Sequence, residues 1–137
     1  VSGLERIAVL ITLIDRLCEV MGQENDCVRR MAIDRIGDVQ DEKRLLAEAY
    51  EKELGALRRS PEAVGGLPLE ARRQLEEAMR RLQAASRRNA DVLLAAKTVT
   101  ERLLRRVADA LAAEPRVAAR PPAHGGRVIA VSFDRHV

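Results

Sequence analysis

From Leu4 onward the apolar positions Leu4, Ile7, Ile11, Ile14, Cys18, Met21, Asn25 and Val28 follow one another at spacings of three and four. That is the period of a heptad seam on a helix, and only Asn25 interrupts it with an amide. Ser2 with Glu5 three residues later is a capping-box pattern, so the helix is expected to begin near Gly3. After Ala32 the series passes through Ile36, Val39, Lys43, Leu46, Tyr50, Glu53 and Leu57. Two consecutive spacings of four there resemble a stutter, which locally unwinds a supercoil. One helix is expected from about 3 to 57.

Pro61, Gly65, Gly66 and Pro68 then break the period within "RRSPEAVGGLPLEAR". This reads as a hairpin connection holding one short helical turn, with Ser60 as N-cap and Pro61 in the first helical position. A second long helix is expected from Leu69 to about Ala113, where Leu75, Leu82, Asn89, Ala96, Leu103 and Ala110 form a seven-residue line. Pro115, Pro121, Pro122, Gly125 and Gly126 make the remainder irregular, although Val128 to Phe133 ("VIAVSF") is apolar. The expected architecture is all-α: a long antiparallel, coiled-coil-like helical hairpin over 1–113, with a flexible C-terminal tail over 114–137.

An antiparallel fold about residue 64 sets position i near position 128 − i. Asn89 then falls near Val39 and Asn25 near Leu103, so the two seam amides are not expected to meet. Asn25, Lys43 and Asn89 are read as register-setting polar residues on the seam. The same pairing sets residues 4 to 17 against 111 to 124, where the second helix is ending. Val9, Leu10 and Leu13 add apolar surface there beyond what one partner helix covers. These three, with Val99, Leu103, Leu104, Val107 and Leu111 as an opposing wall, are the candidate groove for an amphipathic helix. A homodimer, or the chain's own tail, would fill the same space.

Composition agrees with slender helix packing: 47% of the 137 residues are apolar, yet Tyr50 and Phe133 are the only aromatics. A charged fraction of 33% suits long solvated helix faces. The net charge of +3 is unevenly spread, with 8 basic and 12 acidic groups over 1–57 and 12 basic and 7 acidic over 58–112. Arg72-Arg73, Arg80-Arg81 and Arg87-Arg88 recur at steps of seven or eight and form a basic ridge. Such a ridge can neutralise phosphates, but interspersed acids and the lack of stacking aromatics argue against nucleic acid as its partner.

No catalytic set assembles from this sequence. His124 and His136 lie in the tail, and Cys18 and Cys27 have neither a metal nor a disulfide spacing, so no cofactor, metal or small-molecule substrate is expected. The run Ile7 to Ile14 is far short of the ~20 residues of a membrane span and lies between Glu5 and Asp15. A cytoplasmic, non-enzymatic protein is the expectation.

The stretch "DEKRLLAEAYEKELGALRRSPEAVGGLPLEARRQLEEAMRRLQAASRRNADVLLAA" resembles members of the FlgN-like flagellar export chaperones. Glu42-Lys43 with Leu46 and Tyr50, the Pro-containing connection, and Asn89 followed by Leu93 carry the likeness, which spans about residues 4 to 112. The resemblance implies a cytoplasmic all-α protein that binds the terminal helices of hook-associated, hook-filament junction proteins, prevents their premature assembly and delivers them to the type III export apparatus. It also implies contacts from the C-terminal helix and tail to the client and to export-gate or ATPase-complex components, the gate contact involving a tail aromatic. Here "RPPAHGGRV" has no Tyr before the glycines, and Phe133 is the only tail aromatic. The region carries over, with Val128, Ile129 and Phe133 as tail contacts. A coiled-coil adaptor that dimerises through its open end is the alternative.

Overall fold

The computed structural model describes residues 2–113, and the tail residues Val128, Ile129 and Phe133 lie outside them. Four helices follow in order: α1 (Gly3–Arg29), α2 (Ile33–Arg58), α3 (Pro61–Gly65) and α4 (Leu69–Ala113). The protein is all-α, with the expected short helical turn, α3, in the connection. The chain divides into two units, one ending at Asn89 and the other starting at Ala90, with α4 contributing to both.

Helix α1 starts as its sequence dictates. The Ser2 hydroxyl accepts from the Glu5 backbone N–H at 3.1 Å, and the Glu5 carboxylate accepts from the Ser2 N–H at 3.2 Å, completing the capping box. Its end corrects the expectation of one helix to residue 57. The Ala32 N–H donates to the Cys27 carbonyl at 2.9 Å, and the Met31 N–H to the Val28 carbonyl at 3.2 Å. Those two bonds, with Met31 at φ 55, make a Schellman stop, a role usually given to glycine. The chain turns there, and α2 runs back along α1.

The first unit is consequently a three-helix arrangement. Arg6 bonds Glu53 at 2.9 Å and Arg16 grips Glu42, so α1 and α2 are antiparallel. Arg81 reaches Asp15 at 3.1 Å and Asn89 reaches Asn25 at 2.8 Å, so α4 runs parallel to α1. The α2–α3–α4 hairpin is antiparallel as expected, and Asn89 meets Lys43 rather than Val39, four positions away. The seam amides Asn25 and Asn89 do meet, contrary to the two-helix pairing, because the turn at Met31 returns α1 to the side of α4.

Having two neighbours changes which face of α1 is inward. Ile7, Leu10, Ile14, Leu17, Val20 and Glu24 are buried, whereas the seam residues Ile11, Cys18 and Met21 are only half-buried and Leu4 is exposed. A core of Ile7, Leu10, Ile14, Leu54, Leu57, Leu67, Leu75 and Ala78 closes this end of the unit. Leu67, from the connection, comes so near Gly3 that a Cβ there would lie 3.0 Å from its Cδ2. Within the segment expected to face residues 111–124, Ile7, Leu10 and Ile14 are thus core, Leu10 being fully buried, while Leu4 and Val9 stay exposed.

Two outcomes follow in denaturant unfolding. Met31→Gly should raise stability by about 0.5–1 kcal/mol, because Met31 is exposed and its left-handed backbone disfavours a side chain. Leu10→Ala should lower it by about 2–5 kcal/mol, the range for emptying a packed leucine site.

Candidate functional site

At the end of the first unit opposite the connection, the seam becomes polar. The Lys43 ammonium donates to Glu24 Oε1 at 2.6 Å and to Asn89 Oδ1 at 3.1 Å. The Asn89 amide donates to Glu24 Oε1 at 2.9 Å and to Asn25 Oδ1 at 2.8 Å. All four side chains are buried, and Gln40 on α2 joins them by a hydrogen bond to Glu24. Burial pushes the Glu24 carboxyl upward, but hydrogen bonds from Lys43, Asn89 and Gln40 and the Lys43 charge outweigh it and hold Glu24 below its ordinary pKa. Burial lowers the Lys43 pKa, against the opposing pull of Glu24.

This cluster brings the three seam residues Asn25, Lys43 and Asn89 together around a carboxylate that the heptad reading passed over. A signal was available: Leu10, Leu17 and Glu24 form a seven-residue line of the same kind that singled out Asn89. Charges removed from water need paired and hydrogen-bonded surroundings. The arrangement supplies those for Glu24 and Lys43, and Asn25 at its edge also lines an open hollow of about 450 Å³ with Glu19, Asp26 and Arg88. It joins α1, α2 and α4 through side chains from all three helices.

The second unit offers a different surface. Along α4 beyond Asn89, Val92, Ala96, Val99, Leu103, Val107, Ala110 and Leu111 recur at spacings that put them on one side of a helix, with Leu104 at its margin. Glu101, Arg102, Arg105, Arg106 and Asp109 take the rest of the circumference. Leu93 is buried, whereas every residue from Glu101 to Ala110 is exposed and Val99 retains 64% of its accessible surface. From Glu101 to Ala110 the patterning is amphipathic and, among the described residues, nothing covers its apolar side.

The eight expected groove residues therefore separate. Val99, Leu103, Leu104, Val107 and Leu111 share the α4 stripe. Leu10 is withdrawn from the groove, since it is core. Val9 is exposed and Leu13 half-buried, both on α1 between Arg6 and Arg16, the residues that bridge to Glu53 and Glu42 on α2. At that end of α1 it is Ile7, Leu10 and Ile14 that pack with α2 and with the start of α4, through Leu75 and Ala78.

Among the described residues no group of His, Cys, Asp and Glu side chains could hold a metal ion. Cys27 is buried, and burial pushes the Cys18 thiol up, away from the thiolate form that a nucleophile needs. No described helix is long and apolar enough to cross a membrane. No family model, curated protein or solved structure matches this chain.

The buried cluster gives a pH dependence with a defined sign. A carboxyl held below its unfolded pKa, about 4.3 for glutamate, contributes stability that is present above that value and is lost as pH falls through the lower folded one. Thermal melts between pH 7 and 3 should show Glu24→Gln less stable than the parent near neutrality and less sensitive to acid below about pH 4. Parallel curves for the two proteins would contradict this.

Proposed function

We propose that the protein is a flagellar type III export chaperone that binds terminal amphipathic helices of hook-filament junction proteins on the α4 stripe. The observation carrying this reading is the apolar side of α4 at Val99, Leu103, Leu104 and Val107, exposed while neighbours on the same helix are charged. The resemblance of residues 4–112 to FlgN-like chaperones points to the same helix and names the client class.

The proposed action is capture and release. A client terminus unfolded in isolation lays leucine-type side chains on Val99, Leu103, Val107 and Leu111 and becomes helical as it does so, in the helix-in-groove mode. Occupying those side chains withholds them from the client's assembly partners. Hand-over to the export gate or ATPase complex requires that binding be reversible, which suits a single helix face better than a closed pocket. No bond is made or broken, no cofactor enters, and the place of action is the cytoplasm. A coiled-coil adaptor would use the same stripe against a second copy of itself.

The experiment is calorimetric titration of the full chain with the terminal segments of hook-associated proteins. Binding should show negative heat-capacity change and weak salt dependence. Joint replacement Leu103→Glu and Val107→Glu should weaken it by about a hundredfold or more, at roughly 1.5–3 kcal/mol per apolar side chain. The melting temperature should be unaffected, because both residues are exposed. A parent protein that is dimeric by light scattering and takes up no client segment would make it the adaptor.

A further inference from the structure

A second surface, wholly within the first unit, has its own chemistry. Between α2 and α4 lies an open groove of about 740 Å³ whose floor is Tyr50, Met79 and Leu82 and whose α4 side carries Arg80, Gln83 and Arg87. The floor residues are half-buried: they pack on the core and still show apolar surface outward. Arg80 and Arg87 are exposed, and neither has an ion-pair partner among the described residues, whereas Arg81 beside them is bound to Asp15. Seven residues at 1.5 Å each set the two guanidinium-bearing positions about 10.5 Å apart on one line of α4.

We propose that this groove docks an acidic amphipathic helix from another protein. Carboxylates seven residues apart on that helix meet Arg80 and Arg87, and its apolar side lies on Tyr50, Met79 and Leu82. The match is geometric as well as electrostatic, since two positions seven apart on any helix repeat the same 10.5 Å spacing. Guanidinium groups pair with carboxylates bidentately, so two such contacts select both sign and register. Charge excludes the chain's own tail as occupant: residues 114–137 hold four arginines against Glu114 and Asp134. An apolar floor with a single aromatic is also poorly suited to a nucleic acid strand, whose bases need several stacking partners.

The probe is a capped, fluorescent helical peptide of about 18 residues, with leucines on one side and two glutamates seven apart, titrated into the full chain. Its affinity should fall about tenfold or more between about 50 and 300 mM salt. A peptide with glutamine at both positions should bind about tenfold more weakly. The double variant Arg80→Glu and Arg87→Glu should lose the acidic peptide and gain the lysine-substituted one, with an unchanged circular dichroism melt. The Leu103→Glu variant should keep full affinity, which separates this groove from the client stripe. Equal binding of the glutamate and glutamine peptides, loss of binding in Leu103→Glu alone, or no binding at all would overturn the proposal. So would self-association of the free chain through Arg80 and Arg87, or a short RNA that displaces the peptide.

Discussion

Glu24 and Lys43 form an ion pair inside the first unit, and the arrangement of three helices follows from keeping it satisfied. An isolated charge in that position would be unstable by several kcal/mol, so each of the two needs the other and both need Asn89. The partners come from α1, α2 and α4 respectively, which means that none of these helices can slide by a turn without stranding a buried charge. The apolar layers nearer the connection, from Ile7 to Ala78, supply adhesion and tolerate shifts in register far better. Polar residues on a seam typically exchange some stability for uniqueness in this way.

The reversal at Met31 belongs to the same constraint. If α1 and α2 were one continuous rod, Glu24 and Lys43, nineteen positions apart, would be separated by nearly 30 Å along its axis. Folding back at residues 30–32 brings them to 2.6 Å. The turn places a methionine in a left-handed backbone conformation where glycine would be easier. The network that the turn makes possible therefore has to outweigh a local penalty of about 1 kcal/mol.

The helical class, the capping box at Ser2 and Glu5, the α3 turn at Pro61 and the course of α4 were all legible in the sequence, because each rests on local chemistry that a single segment can show. The stop at Met31 was hidden because its usual marker, glycine, is absent, although the two spacings of four from Val28 through Ala32 to Ile36 recorded a change of face. Glu24 was missed for a related reason. A seam drawn for one partner helix runs through Ile11, Cys18 and Asn25, and a helix with two partners buries a wider arc that also takes in Leu10, Leu17 and Glu24. Leu10 looked like surplus apolar surface under the first geometry and is core under the second. For α4 the limit is different. Its seven-residue line continues unchanged through Asn89 to Ala110, so the pattern alone could not tell where the helix stops being covered.

The distribution of charge bears on what the surfaces can accept. The acidic excess over 1–57 and the basic excess over 58–112 invite the idea that the two halves neutralise each other. The bridges show otherwise. Arg6 and Arg16 satisfy Glu53 and Glu42 within the acidic half, while of the arginines on α4 only Arg81 forms an ion pair among the described residues. Exposed pairs of this kind contribute about 0.2–1 kcal/mol at best, too little for their number to have been fixed by stability. The arginines of α4 other than Arg81 therefore remain solvated, and where they border apolar side chains, as at Tyr50, their charge would favour an acidic occupant under the docking proposal. Arg80 and Arg87 flank the Tyr50 groove, whereas beside the stripe that includes Leu103 the arginines Arg102, Arg105 and Arg106 alternate with Glu101 and Asp109, so charge acts less selectively there.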